Sequence, residues 1–208
     1  MIQGIRKLLG MHGVHYLVTR FGPQCLKLLA FDEKFHNGAW NFTNHPDYDL
    51  ADVVKRYANK GNVLIMGCGT TSIMGCLEAD GFSSVLGIDI SSEAIRMASQ
   101  YASPKVSFKQ ADMIHFKCPS SFNIILFPES LYYVSMPQRK ALLQRFCASL
   151  KPEGCIIATF AQARRYARLL RMIRRNFHVL EDREFEAARR RLIVFRSSSP
   201  PPSPPVHA

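Results

Sequence analysis

The sequence lacks any apolar run approaching the roughly 20 residues that a membrane-spanning helix needs, so we expect no membrane span. It also lacks a Cys-x-x-Cys pair, and no histidine stands near a cysteine at the spacing of a zinc site. We therefore predict no metal site, and free thiols in a reducing compartment, the cytoplasm. The cysteines concerned are Cys25, Cys68, Cys76, Cys118, Cys147 and Cys155.

Acidic residues are scarce, with 16 Asp and Glu against 27 Lys and Arg and a net charge of +11. None precedes Asp32, a composition that an organelle transit peptide would share, but the serine enrichment of such peptides is missing. Arginines crowd residues 164–196. Such a surface attracts nucleic acid or another acidic partner, or it is a solvated face that keeps the protein in solution. The sequence leaves both interpretations open.

The length of 208 residues and the hydrophobic share of 47% are enough for one domain with a full core. Three segments differ in pattern: a helical part at 1–62, a strand–helix alternation at 63–196, and a Ser/Pro tail at 197–208 that we expect to be disordered.

The first segment shows helical apolar spacing up to Phe31, broken at Gly22-Pro23, which predicts two short helices. An aromatic and polar loop is expected at 31–42, where Phe35, Trp40 and Phe42 either contact a ligand or plug the core. A further helix is predicted over Asp47–Ala58.

The second segment alternates between predicted strands and predicted helices. This alternation predicts a doubly wound α/β fold with parallel strands and right-handed crossovers. A basic helix and a hairpin at the sheet edge follow. The predicted strands are Val63–Met66, Val85–Ile88, Val106–Phe108, Asn123–Phe127, Cys155–Phe160, Phe177–Glu181 and Leu192–Phe195, and the helices are Ser72–Ala79, Ser92–Tyr101, Pro137–Leu150 and Arg164–Arg175.

The first predicted strand runs into the turn Gly67-Cys68-Gly69. Glycines let backbone N–H groups come close to a ligand at the mouth of the following helix. Asp89 ends the second strand about 20 residues later, where a carboxylate can hold the two hydroxyls of a ribose.

Further motifs follow in the same order as in class I S-adenosylmethionine (SAM) dependent methyltransferases, which the stretch from about Val63 to Phe195 resembles. They are Ala111-Asp112-Met113 after strand three, Phe127-Pro128-Glu129-Ser130 after strand four, and the turn Leu150-Lys151-Pro152-Glu153-Gly154 before strand five. The resemblance implies a seven-stranded, mostly parallel sheet with only the last strand antiparallel, and conversion of SAM to S-adenosylhomocysteine. Segment 1–62 would then cover the substrate and the cofactor.

The resemblance also implies roles for single residues. Asp89 would accept hydrogen bonds from the ribose, Asp112 from the adenine amino group, and Ile90 and Met113 would pack against the adenine faces. The predicted cofactor-binding residues are Gly67, Cys68, Gly69, Asp89, Ile90, Asp112, Met113, Pro128 and Trp40.

Two positions depart from the family pattern, since Ile65 stands where an acidic residue is usual and Thr71 where a third glycine is usual. Glu129 is a candidate to replace the missing carboxylate at the methionine end of SAM. Lysine methyltransferases that act on translation elongation factor share the apolar residue, but their Asp-Lys-Gly-Thr sequence is absent here. The Glu-Ser-Leu-Tyr-Tyr sequence that begins at Glu129 is similar to small-molecule methyltransferases of the nodulation N-methyltransferase kind.

Methyl transfer from a sulfonium is an in-line displacement in which the protein positions the acceptor and excludes water. The catalytic candidates are Glu129, Tyr132, Tyr133 and His36. We expect transfer to an oxygen or nitrogen atom of a small molecule. A macromolecular acceptor (a protein lysine or RNA) and a non-catalytic SAM-binding protein are the alternatives.

Overall fold

The computed structural model describes residues 12–40, 47–70, 73, 82–185 and 190–198. Seven strands form one sheet in the order β3-β2-β1-β4-β5-β7-β6. The strands are β1 (Asn62–Met66), β2 (Ser84–Asp89), β3 (Val106–Gln110), β4 (Phe122–Phe127), β5 (Leu150–Ala161), β6 (Phe177–Phe185) and β7 (Arg190–Ser197).

Strands β1 to β5 pair in parallel, and β7 is antiparallel to both of its neighbours, β5 and β6. Six strands therefore share one direction and β7 opposes them, as the resemblance implied. The chain winds outward from β1 through β2 to β3 and then crosses back to β4 on the other side of β1. At such a switch point the connections diverge and leave a crevice beyond the carboxyl ends of the strands.

The described helices are α1 (His12–Phe21), α2 (Gln24–His36), α3 (Tyr48–Ala58), α4 (Ser92–Ala98), α5 (Met136–Cys147) and α6 (Ala167–Asn176). Gly22 and Pro23 separate α1 from α2, as predicted. The Asp47 side chain caps α3 by accepting a hydrogen bond from the Leu50 N–H at 3.1 Å.

The core consists of two apolar clusters, one on each face of the sheet. Leu143 and Phe146 of α5 and Ile173 of α6 pack on one face, and Leu50 and Val54 of α3 pack on the other. Because both faces are covered, β1 and β4 are almost entirely buried, which explains their unbroken apolar sequences. The doubly wound α/β prediction is confirmed.

Several predicted boundaries were wrong. Helix α2 continues to His36, so residues 31–36 are helical and not a loop. The predicted turn at Lys151–Gly154 is part of β5, where the pairing with β4 shifts register between Phe122 and Ile124. Helix α5 ends at Cys147 instead of Leu150. In each case the packing of side chains or the pairing of strands between distant residues sets the boundary of the element, and the local sequence does not.

Some predictions fall outside the described residues: the helix Ser72–Ala79 apart from Ile73, the side chain of Phe42, and the tail from residue 199 onward. The division into three segments stays a prediction. None of the helices that the structure describes is long and apolar enough to cross a membrane. Cys25, Cys68, Cys118, Cys147 and Cys155 are all free thiols.

Candidate functional site

A cavity of about 270 Å³ opens at the carboxyl ends of β1 to β5, under helices α1 and α2. We call it the sheet-end cavity. Its volume is close to the lower end of the range for small-molecule sites, roughly 300–1,000 Å³. The lining residues are Thr19, Lys27, Phe31, Phe35, Trp40, Gly67, Gly69, Asp89, Ile90, Ala111, Asp112, Met113, Ile114, Pro128, Glu129, Ser130, Tyr132, Tyr133, Val134 and Ala161.

The glycine turn after β1 forms the floor of the cavity. Gly67 and Gly69 have φ angles of +69° and +54°, which side chains rarely adopt. A Cβ at Gly67 would lie 2.6 Å from the Cβ of Ser130, and one at Gly69 would lie 3.7 Å from the ring of Phe35. The turn therefore keeps a side-chain-free surface next to the cavity.

The N–H groups of this turn do not face the cavity. Those of Gly67 and Cys68 donate to the Ile88 carbonyl at 2.8 and 2.9 Å, and that of Gly69 donates to Asp89 Oδ2 at 2.9 Å. The expectation that these N–H groups approach a ligand was wrong, because the edge of β2 takes all three. The glycines provide space and not donors.

Asp89 is 7% exposed and lines the cavity at the end of β2. Burial raises the pKa of its carboxyl to about 6, and the N–H groups of Ser91, Gly69 and Ile90 offset only part of that effect. The backbone thus holds a carboxylate in place with acceptor capacity left for a ligand's hydroxyl groups.

The segment after β3 forms another wall of the cavity. Asp112 Oδ1 accepts from the Ile114 N–H at 2.9 Å, and the Arg145 guanidinium of α5 donates to the carbonyls of Met113 and Ile114 at 2.9 and 2.8 Å. Arg145 therefore fixes this loop from a helix more than 30 positions away in sequence. No local pattern could have identified it.

Glu129 follows β4 and has a φ angle of +52°, strained for a residue other than glycine. Its N–H donates to Thr159 Oγ1 at 3.1 Å, and its Oε2 accepts from the Ala161 N–H. Its Oε1 is buried and has no hydrogen-bond partner among the described residues. Burial raises the pKa of this carboxyl, while the Ala161 and Thr159 hydrogen bonds lower it in part. One carboxylate oxygen is thus buried without a hydrogen bond from the described residues.

Aromatic rings cover the same end of the cavity. Phe31 and Tyr133 meet edge to face at 5.1 Å between ring centroids, Phe35 and Trp40 at 4.9 Å, and Tyr132 lies 4.8 Å from Tyr133. Burial raises the pKa of both tyrosines, so each hydroxyl stays protonated at neutral pH. They can donate hydrogen bonds there but cannot act as bases.

Asp32 of α2 attaches this cover to the sheet. Its Oδ1 accepts from the Ser91 hydroxyl at 2.5 Å and from the Glu93 N–H at 3.2 Å, and its Oδ2 accepts from the Ser92 hydroxyl at 3.2 Å. The carboxylate thus sits at the N-terminus of α4, where negative charge is favoured. It holds Phe31 and Phe35, its neighbours on α2, over the cavity.

Eleven of the thirteen residues predicted for cofactor binding or catalysis line the cavity, and Cys68 and His36 do not. The Cys68 side chain is buried in the core, where burial raises the pKa of its thiol, and His36 is exposed at the end of α2. Ile65, the departure from the family pattern, is fully buried in the cluster beneath α3.

Sequence reasoning missed Lys27, Phe31 and Thr19 as lining residues. A signal existed for two of them: Lys27, Phe31 and Phe35 recur every four residues, so once α2 is recognised as one long helix they share a face.

Comparison with known proteins agrees with this geometry. Residues 63–154 match the family described as "Methyltransferase domain". An N,N-dimethyltransferase of dTDP-3-amino-3,6-dideoxy-alpha-D-glucopyranose from Streptomyces fradiae is 26% identical over 125 residues, which are 59% of this chain and 48% of that protein. The eEF1A lysine and N-terminal methyltransferase of Bos taurus is 29% identical over 114 residues, 52% of this chain and 16% of that protein.

The chain thus spans about half of the first relative and about a sixth of the second. Among solved structures, the N-methyltransferase NodS from Bradyrhizobium japonicum WM9, in complex with S-adenosyl-L-homocysteine, is similar with a TM-score of 0.62 at 18% identity. That match covers 95% of this chain and 98% of NodS. Residues 63–154 thus match the methyltransferase domain family, and the chain has the α/β fold of class I methyltransferases such as NodS.

Proposed function

We propose that this protein is a SAM-dependent methyltransferase that moves a methyl group to an oxygen or nitrogen atom of a small molecule. The observation that carries the proposal is Asp89, a buried carboxylate held by Gly69 and Ser91 at the switch point of the sheet and open to the cavity. That position suits the ribose of a nucleoside cofactor.

The described residues fit SAM along the whole cavity. Gly67 and Gly69 leave room for the chain that joins the ribose to the methionine, because a side chain at Gly67 would collide with Ser130. Asp89 would accept hydrogen bonds from the ribose hydroxyls, and Asp112 would accept one from the adenine amino group. Ile90 and Met113 would pack against the adenine ring, and Pro128 and Trp40 line the remaining walls.

Bound SAM supplies a methyl group that is already activated on a sulfonium, so the protein mainly has to position the acceptor and exclude water. Phe31, Phe35 and Trp40 cover the cavity and perform the second task. Glu129 is the candidate base, because its Oε1 is unpaired and the neutral tyrosines cannot take a proton.

A small acceptor is favoured by the cover, since α2 and its aromatic residues close over the cavity. The first relative, named for a nucleotide-sugar substrate, points the same way, whereas the second is named for a protein substrate. Exposed arginines on α6 are the observation that favours a macromolecular acceptor.

The test begins with calorimetric titration of SAM. We expect Asp89→Ala to weaken binding by about 1.5–3 kcal/mol, because the ribose loses a charge-assisted acceptor. Asp49→Ala, at an exposed position of α3, is the control and should not change the affinity. Failure of SAM to bind the wild-type protein at high micromolar concentration would refute the proposal.

A second measurement separates the acceptor classes. Methyl-labelled SAM is incubated with the protein and either a metabolite extract or a pool of RNA and protein, and labelled products are identified by mass spectrometry. We expect label in the metabolite fraction. Label confined to the macromolecules would establish the alternative, and binding without transfer in either pool would indicate a non-catalytic SAM-binding protein.

A further inference from the structure

Arg139 of α5 is a buried cation that holds one short loop. It is 2% exposed, its Nε donates to the Val134 carbonyl at 2.7 Å, and its Nη2 donates to the Tyr132 carbonyl at 2.8 Å. Burying a guanidinium costs free energy, which hydrogen bonds have to offset. These two hydrogen bonds therefore help to stabilise the cation, and they fasten the loop to α5.

The loop depends on a donor from outside its own backbone. Leu131–Tyr133 form a single 3₁₀ turn, and the backbone at Val134 is extended. No backbone N–H of the described residues donates to the carbonyl of Tyr132 or Val134. A buried carbonyl without a donor costs about 1–3 kcal/mol. The guanidinium satisfies both carbonyls at once, because its N–H groups form a rigid planar fork.

The loop that Arg139 holds is part of the cavity lining, although Arg139 itself does not line the cavity. Tyr132, Tyr133 and Val134 do so, and we call residues 132–134 the β4 wall because they follow that strand. Tyr133 stands between the two held carbonyls, and its ring centroid lies 5.1 Å from that of Phe31 in the cover. Arg139 thus fixes the backbone on both sides of Tyr133 from behind the wall.

The β4 wall borders the part of the cavity that remains once the cofactor is assigned. The groups proposed above for the adenine, the ribose and the methionine chain follow β3, β2 and β1, which are consecutive neighbours in the sheet. Strand β4 is the next neighbour, on the other side of β1. Residues that follow β4 therefore lie beyond the methionine end of the cofactor, on the side that is left for the methyl acceptor.

Resting on the function proposed above, we infer that Arg139 is a positioning residue for methyl transfer, which holds the β4 wall in the orientation that aligns the acceptor with the methyl group. An in-line displacement requires the attacking atom to lie on the axis of the bond that breaks, and a misplacement of about 1 Å lowers the rate about 100-fold. Because Arg139 does not line the cavity, it acts through the tyrosines of the wall and not on the reactants.

A second arginine of α5 provides a comparison on the same helix. Arg145 donates to the carbonyls of Met113 and Ile114, on the wall proposed for the adenine. If α5 were only a scaffold, the loss of either arginine would disturb both parts of the cavity. Separate positioning roles predict instead that the loss of Arg145 weakens SAM binding, and that the loss of Arg139 slows the transfer.

The experiment uses two variants of Arg139. Arg139→Lys keeps the charge but not the planar fork, and Arg139→Met removes every donor. Transfer from methyl-labelled SAM to a metabolite extract is measured at saturating SAM, and SAM affinity is measured by calorimetry. We expect the rate to fall about 10-fold in Arg139→Lys and about 100-fold in Arg139→Met, with SAM affinity within about twofold of the wild type.

Two further variants complete the comparison. Lys140→Met is the matched control, because Lys140 is the exposed neighbour of Arg139 on α5, and it should change neither quantity. Arg145→Met should weaken SAM binding by on the order of fivefold, because its loss leaves two carbonyls of the adenine wall without their donor. Its rate at saturating SAM should fall less than that of Arg139→Lys.

Trp40 reports on the β4 wall without turnover, because it is the single tryptophan of the chain and its ring centroid lies 6.4 Å from that of Tyr133. In Arg139→Lys the emission of Trp40 should move to longer wavelength, since a loosened wall admits water, and it should not move in Lys140→Met. An unchanged emission in Arg139→Lys would show that the wall keeps its orientation without the fork, which would overturn the inference.

The rates give a second way for the inference to fail. A transfer rate within about twofold of the wild type in both Arg139 variants would overturn it, and Arg139→Lys alone decides if Arg139→Met does not fold. Equal losses of SAM affinity and rate in Arg139→Lys would also overturn it, because Arg139 would then only stabilise the fold. In all these cases the wild type still transfers methyl groups, so the proposed function stands. A wild type that binds no SAM, or binds it without transfer, would refute that function and this inference with it.

Discussion

At the scale of the residue, Asp89 shows how a binding role conflicts with stability. Its carboxyl is buried at the end of β2 beside the cavity, and burial raises its pKa from 3.8 to about 6. The folded chain therefore binds a proton at Asp89 more tightly than the unfolded chain. That contribution to stability is fully present below a pH of about 4 and is lost as the pH rises through about 6.

We expect this loss to reach about 3 kcal/mol, at roughly 1.4 kcal/mol for each pKa unit. The Asp89→Asn variant cannot titrate and is the reference. The free energy of unfolding of the wild type, relative to this variant, should be larger by about 2.5 kcal/mol at about pH 4 than at about pH 7, because the wild type is more stable when Asp89 is protonated. Chemical denaturation at a series of pH values measures the difference, and a difference that is constant with pH would contradict the assignment.

Gly67 illustrates a second residue-scale constraint, because both its φ angle and its contact with Ser130 exclude a side chain. Gly67→Ala should destabilise the protein by at least about 1–3 kcal/mol and weaken SAM binding. Gly13→Ala is the matched control. Gly13 is exposed in α1 with nothing near its missing Cβ, so alanine should stabilise the helix by about 0.5–1 kcal/mol. Thermal unfolding should move in opposite directions in the two variants; a shift in the same direction would refute this account.

At the scale of the element, helix α2 is the part that turns an open crevice into a covered cavity. Phe31 and Phe35 line the cavity, and Phe35 lies next to Gly69 of the glycine turn. Asp32, on the same helix, fastens α2 to the start of α4 through the hydroxyls of Ser91 and Ser92 and the N–H of Glu93. The cover is therefore held by polar contacts to α4, the helix that follows β2.

Asp32→Ala should lower stability by about 1–2 kcal/mol and speed the exchange of backbone amide hydrogens in residues 24–36, because the α4 terminus loses a negative partner. Asp52→Ala, at an exposed position of α3, should do neither. Hydrogen exchange followed by mass spectrometry makes the comparison. Unchanged exchange in α2 would show that apolar packing alone holds the cover.

At the scale of the whole molecule, the net charge of +11 is concentrated partly on one helix face. Leu169, Leu170 and Ile173 of α6 are buried against the sheet. The opposite face and the turn before it expose Arg164, Arg168, Arg171 and Arg175. Arg174 lies beside this row and pairs with Asp182 of β6.

For a small-molecule enzyme this basic face should matter little to turnover. Reversing two charges with Arg168→Glu and Arg171→Glu should leave the SAM affinity and the rate of methyl transfer to a small acceptor within about twofold. Binding of the protein to a single-stranded RNA should weaken and become less dependent on salt, because fewer counterions are released. Filter binding at several salt concentrations tests this, and a large loss of methyl transfer would instead point to a polyanionic acceptor.

The sequence by itself determined the strands, the glycine turn and the place of Asp89, because each depends on local pattern: unbroken apolar runs, glycines at a strand end and a carboxylate one crossover later. The resemblance to class I methyltransferases implied a seven-stranded sheet with only the last strand antiparallel, while the alternation of strands and helices by itself predicted parallel strands. The sequence pattern could not predict where α2 ends, because the aromatic side chains that extend this helix to His36 are recognisable as one face only when the helix packs over the cavity.

Only the tertiary structure decided which groups the cavity presents. The N–H groups of the turn are taken by β2, Cys68 faces the core, and Arg145 and Asp32 fix loops from distant helices. Glu129 could be recognised as a carboxylate at the end of a strand. That one of its oxygens accepts a hydrogen bond from β5 and the other is buried without one follows from strand pairing more than 30 residues apart, which no local pattern contains.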